Sequence, residues 1–155
     1  VLNPPRATLL FVGSGALGDR IRAAASRVPN VRFAPFQNQS RMPRTYAACD
    51  LFVLPSYGEF ETWGLAVNEA MSLGKPAIVS NHVGCAEDLV LEGKTGLVFQ
   101  AGDIESLRKA LGDALDDRLR LAEWGRAAAA RVSSFSYAEA TRGLLKALEY
   151  TSGKQ

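Results

Sequence analysis

The chain has 155 residues, 47% of them hydrophobic and 22% charged, an ordinary globular balance that excludes a largely disordered chain. Eighteen basic and sixteen acidic residues leave a formal charge of +2, and no basic stripe interleaved with aromatics argues for nucleic acid. No apolar run approaches the ~20 residues that span a bilayer, and Cys49 and Cys85 lack metal or disulfide-framework spacing, which favours a reducing cytosol and no structural metal. In chain order, Thr8 to Val12 reads as a strand ended by Gly13, and Leu17, Ile21 and Ala24 share a helical face. Val31 to Ala34 reads as a second strand. A polar loop over Pro35 to Arg41 precedes a short helix over Pro43 to Ala48. The apolar run Leu51 to Leu54 suits a strand buried on both faces. A helix over Gly64 to Leu73 stops at Gly74, with Pro76 just beyond. Ala77 to Ser80 is another buried strand, Cys85 to Leu91 a short helix, and Gly96 to Phe99 a last strand. The C-terminal third is helical. Asp103 is the expected N-cap for a stripe of Ile104, Leu107, Leu111 and Leu115. Leu121, Trp124, Ala128 and Val132 mark the next helix, and Tyr137, Thr141, Leu144 and Leu148 the last, with Trp124 and Tyr137 expected to pack.

Alternating strands and helices over the first hundred residues predict an α/β fold, a doubly wound parallel sheet with helices on both faces. Residues 1–155 form one domain in this reading, with an α/β part at 1–100 and a helical tail at 101–150. Ligands of such sheets sit beyond the carboxyl ends of the strands, at helix N-termini. The loops 13–16, 35–42, 55–63 and 80–85 are therefore the places for a site.

Gly13-Ser14-Gly15-Ala16-Leu17-Gly18 matches the dinucleotide pattern GxGxxG between a strand and a helix. That reading also wants an acidic residue about 20 positions on, for the ribose. From Arg20 to Cys49 there is no Asp or Glu, although Arg32 or Arg41 could serve an NADP variant. A tight strand-to-helix turn explains Gly13, Gly15 and Gly18 better, and an NAD(P)-binding module stays as an alternative.

The loop Pro55 to Trp63 is more informative. It is long, polar and runs into a helix start with no side chain at Gly64, where free N–H groups make an anion site. Glu61 lies just before that start and Glu69 about two turns in. A carboxylate accepts two hydroxyl donors at once, which suits ribose and hexose diols. A phosphate-sized pocket between two diol acceptors is what a nucleotide-sugar requires. The bland alternative is that Asn68, Glu69 and Ser72 form a solvated stripe while Glu61 complements the helix dipole. From spacing alone both readings stand.

Glu61, seven intervening residues and Glu69 form an E-x7-E motif inside Asp50-Leu-Phe-Val-Leu-Pro-Ser and Glu61-Thr-Trp-Gly-Leu-Ala-Val-Asn-Glu-Ala-Met-Ser-Leu-Gly-Lys-Pro. This stretch closely resembles the donor-binding C-terminal half of retaining glycosyltransferases of family 4, which have the GT-B fold with Rossmann-like halves. The resemblance continues through Val83-Gly-Cys-Ala-Glu-Asp-Leu-Val90 and Gly96-Leu-Val-Phe99 and covers nearly the whole chain. It implies transfer of a sugar from a nucleotide-diphosphate-sugar with retained anomeric configuration, by front-face attack and without a bound metal or other cofactor. Carried over by position, Glu61 contacts the transferred sugar as the catalytic residue and Glu69 holds the ribose. The amides around Gly64 and Leu65 meet the distal phosphate, and Gln37 faces the base from the loop Phe36 to Met42. Thr62 and Trp63 stand where the family often has Pro-Phe, so donor specificity need not be inherited. Trp63 either packs beneath the loop or walls the sugar pocket.

Against the family pattern, the first strand of the domain is expected to be missing, with the Arg and Lys that grip the diphosphate. The N-terminal acceptor domain is missing as well, so this piece alone should not turn over. The acceptor is open among a sugar, a lipid-linked sugar and a small molecule. From its cysteine usage the protein is expected to be cytoplasmic, with peripheral attachment to the inner face of a membrane left open for the full-length protein. A GT-B-type sugar-nucleotide epimerase is a further alternative. His82 reads as a surface-loop residue, Asp88 as a helix-start charge, and Cys49 and Cys85 as small buried residues.

Overall fold

A computed structural model describes residues 7–58 and 60–153. The chain forms two compact units, Val1–Thr45 and Tyr46–Gln155.

In the first unit, β1 (Leu9–Val12) pairs in parallel with β2 (Val31–Ala34), and α1 (Gly18–Ala25) connects them. Phe11 and Phe33 face each other across the pair with stacked rings 5.3 Å apart. The GxGxxG segment forms the strand-to-helix turn. Gly13 adopts φ +127°, and the Gly18 N–H donates to the Gly15 carbonyl at 2.9 Å. Leu17 departs from the expected packed face. It sits at the N-cap of α1 and is exposed, because the helix begins one residue after it. α2 (Met42–Ala47) ends at the boundary with the second unit.

The second unit is built on three parallel strands in the order β3 (Phe52–Leu54), β4 (Ala77–Ser80), β5 (Gly96–Phe99). Among the described residues β1 pairs only with β2, and β3 only with β4, so the five parallel strands form two sheets where the sequence predicts one. β4 is central and wholly buried, as its continuous apolar run requires. Its side chains alternate between two cores. Ala77 and Val79 join Val67 and Met71 of α3 (Leu65–Ser72), Leu89 of α4 (Ala86–Leu89), and Ala128 and Val132 of α6 (Arg118–Val132). Ile78 joins Leu97 and Phe99 of β5, Ala110 and Ala114 of α5 (Ile104–Leu115), and Leu121 and Trp124 of α6. Helices thus cover both faces of this sheet, as the alternating pattern predicts.

The helix starts follow local chemistry. Asp103 caps α5 by accepting the Glu105 and Ser106 N–H groups at 2.9 and 3.1 Å, as expected. Asp117 does the same for α6. The buried face of α5 is set by Ala110 and Ala114, with Leu107 and Leu111 partly buried against the same core, while Ile104 at the first helical position is exposed. Trp124 is buried as expected. Tyr137 is not: it is 95% exposed, and α7 (Tyr137–Thr151) carries no buried residue. Its apolar stripe is present, but no other element of the described chain covers it.

Candidate functional site

Parallel β3, β4 and β5 end together at Leu54, Ser80 and Phe99, and the loops that follow them are tied to one another. The buried Ser80 hydroxyl donates to the Ser56 carbonyl at 2.5 Å. Gly58 N–H donates to His82 Nδ1 at 3.0 Å, so His82 holds the loop after β3 instead of standing free on the surface. The Tyr57 ring lies 5.8 Å from that imidazole and rests on Gly102, where a Cβ would come within 2.9 Å of the ring. Asn81 completes the set by accepting the Ala101 N–H at 2.8 Å.

The start of α3 lies inside this loop cluster. Gly64 adopts φ +95°, and a Cβ there would sit 2.7 Å from Val83 Cγ1, so only glycine fits both the conformation and the space. No side chain caps the helix. Val67 N–H turns back to the Gly64 carbonyl at 2.8 Å, whereas the Leu65 and Ala66 amides precede the first helical acceptor and carry the positive end of the dipole. Two backbone rungs clamp the preceding residues to the loop after β4: Gly84 N–H to Glu61 O at 3.0 Å, and Cys85 N–H to Trp63 O at 2.8 Å. Gly84 permits this approach, since a Cβ there would fall 1.9 Å from the Thr62 carbonyl oxygen.

Both motif carboxylates are held by partners that the sequence does not single out. Glu61 is half-buried, and its Oε2 accepts from the Ser56 hydroxyl at 3.2 Å. Glu69 lies one turn beyond Leu65, about 6 Å along the helix. Its Oε2 accepts from the buried Tyr46 hydroxyl at 2.8 Å. Burial first, then the bond to Glu69, pushes the Tyr46 phenol well above its ordinary range, so it stays a proton donor. Glu61 therefore precedes and Glu69 follows the uncapped helix start.

Trp63 packs against the core beneath α3 and donates from Nε1 to Asn68 Oδ1 at 2.7 Å. Asn68 is thereby a structural partner of the loop and no idle member of a polar stripe. Thr62 and Leu65 are exposed beside the two carboxylates. Gln37 belongs to the first unit, where its side-chain amide donates to the Pro35 carbonyl at 3.0 Å. Asp88 is exposed on α4, and its backbone carbonyl accepts two bonds from Arg131. Cys85 is fully buried, and burial pushes its thiol up to about 11, whereas Cys49 is half-buried. A surface depression of about 560 Å³ lies elsewhere in this unit, between Leu97, Asp113, Asp116 and Arg120, and no residue of the loop 55–63 or of α3 lines it. Among the described residues no group of His, Cys, Asp and Glu has metal-site geometry, and no helix is long and apolar enough to cross a membrane.

The pattern of the family described as glycosyl transferases group 1 matches residues 2–131. The chain belongs to that family. It is 37% identical over 153 residues to a D-inositol 3-phosphate glycosyltransferase of Nocardia farcinica, covering 93% of this chain and 33% of that one. It is 34% identical over 140 residues to a sulfoquinovosyl transferase of Arabidopsis thaliana, covering 88% of this chain and 27% of that one. Among solved structures, the Anabaena protein HepE in complex with UDP-glucose superposes with a TM-score of 0.77 at 26% identity, over 95% of this chain and 42% of that one. This group 1 chain thus spans about a third of the length of the curated relatives it matches. Its α/β fold is that of Rossmann-like GT-B domains, and membership agrees with the family that the E-x7-E context resembles.

Proposed function

We propose that this chain is the donor-binding half of a glycosyltransferase of family 4 that transfers a sugar from a nucleotide-diphosphate-sugar with retention of configuration. The observation that carries the reading is the uncapped, glycine-started helix α3 with one anchored carboxylate on either side of its start. The first-turn amides at Gly64 and Leu65 receive the distal phosphate, where the helix dipole stabilises the charge that develops as the diphosphate leaves. Glu69 accepts the ribose hydroxyls, and Glu61 accepts hydroxyls of the transferred sugar. Thr62 adds a hydroxyl beside that sugar, and Trp63 holds the loop that presents both. The resemblance assigns Gln37 to the base.

In the reaction, the acceptor oxygen bonds to the anomeric carbon on the face from which the phosphate oxygen departs. The acceptor proton passes to that leaving oxygen. Glu61 orients the sugar for this front-face step, and protein N–H groups neutralise the diphosphate without a metal. The acceptor and the residues that bind it come from the remainder of the intact protein, so residues 1–155 alone bind a nucleoside diphosphate weakly and transfer nothing. A cytosolic enzyme fits the two free cysteines.

The test is Glu69→Ala in the intact enzyme, titrated calorimetrically with nucleoside diphosphates. Loss of a hydrogen bond to a charged group costs about 1.5–3 kcal/mol, roughly a tenfold to hundredfold weaker dissociation constant. An unchanged constant removes Glu69 from ribose recognition.

A further inference from the structure

We infer that Tyr46 is a positioning residue that aims the Glu69 carboxylate at a ribose diol; the inference rests on the donor-site reading of Glu69. Tyr46 closes α2, and Glu69 lies 23 residues later on α3. The phenol ring is 6% exposed and meets Phe52 of β3 edge-to-face, with centroids 5.6 Å apart at 81°. Packing thus fixes the ring independently of its hydroxyl.

That fixed ring delivers one O–H to Glu69 Oε2 at 2.8 Å. The bond has a chemical consequence. A glutamate on an exposed helix face has three rotatable torsions and samples many carboxylate orientations. A donor anchored in the core selects one of them. With Oε2 engaged from the protein side, Oε1 and the second lone pair of Oε2 remain for ligand donors. Two acceptor positions at a fixed spacing suit two neighbouring hydroxyls and offer nothing particular to a single one. Pre-orientation lowers the ordering cost at the moment of binding, so its benefit should appear only with ligands that carry the diol.

The experiment uses Tyr46→Phe, which keeps the packed ring and removes only the hydroxyl. In the intact enzyme, dissociation constants are measured for a nucleoside diphosphate and its 2′,3′-dideoxy analogue, alongside kcat and donor KM. The expected result is about fivefold to tenfold weaker binding of the ribonucleotide. The dideoxy constant stays the same, and donor KM rises while kcat holds. In the double variant with Glu69→Ala, the Tyr46 change adds nothing further. Equal weakening of both nucleotides means a general structural role and overturns the inference, as does an unchanged ribonucleotide constant. Glu69→Ala separates the two readings. Ribose discrimination lost in Glu69→Ala but kept in Tyr46→Phe overturns only the positioning role. Discrimination intact in Glu69→Ala overturns the ribose reading of Glu69 and this inference with it.

Discussion

Replacing Gly84 by alanine should open the loop that carries Glu61, and the size of the effect follows from the backbone. The new methyl would sit 1.9 Å from the Thr62 carbonyl oxygen, 2.5 Å from its carbon and 3.0 Å from the Trp63 nitrogen. Backbone cannot rotate away as a flexible side chain can, so residues 61–63 must retreat by about 1.5 Å to restore van der Waals separation. That retreat breaks the rungs from Gly84 N–H to Glu61 O and from Cys85 N–H to Trp63 O. At about 0.5–1.5 kcal/mol for each bond, the variant should lose roughly 1–3 kcal/mol. In a unit of the size of Tyr46–Gln155 that is a fall of about 4 °C in the thermal midpoint for each kcal/mol. Nucleotide-sugar binding should weaken as well, because Glu61 moves with the loop and leaves the Ser56 hydroxyl. Gly112→Ala serves as the contrast: this glycine lies inside α5 with nothing within 4 Å of a new Cβ, so alanine should stabilise by up to about 1 kcal/mol. Thermal and urea denaturation of both variants, with donor titration, measure the difference. A Gly84→Ala protein within about 0.5 kcal/mol of the parent, binding donor normally, would show that the clamp is not needed.

The Cys85 thiol, raised from 9.0 to about 11 chiefly by burial, links stability to alkaline pH. The neutral thiol is the form the fold favours, so its contribution is complete below pH 9 and is lost as pH rises through about 11. Denaturation midpoints across that window should fall, and Cys85→Ala should lessen the fall, leaving the slopes from the Cys49 thiol, also raised by burial, and from the raised Tyr46 phenol; a parent profile flat from pH 9 to 11 refutes this. If protein N–H groups alone neutralise the leaving diphosphate, turnover of the intact enzyme should be unaffected by EDTA. Activity abolished by the chelator and restored by magnesium or manganese would overturn the metal-free route.

Local chemistry carried much of the architecture. The strands Val31–Ala34, Ala77–Ser80 and Gly96–Phe99 are read from the sequence to the residue, because short runs of strand-forming residues bounded by turn residues need no distant information. Gly64 and Gly74 mark both ends of α3, and Asp103 the start of α5, for the same reason. The positions of Glu61 and Glu69 around a helix start were legible as well, since loop and helix are contiguous in the chain. Their partners were not. Tyr46 meets Glu69 across 23 residues, Gly84 meets Glu61 across the whole of α3 and β4, and His82 meets Gly58 across 24 residues. All three pairs are separated in the chain by α3 and β4 or by β3 and the start of α3, and depend on how these elements wind past one another, which no local pattern encodes. Periodicity likewise announced an apolar stripe on α6 and another on α7, yet only the first is buried. A stripe records which face can be covered; whether another surface stands opposite it is decided by the tertiary structure, because burial needs two surfaces and the helix supplies one.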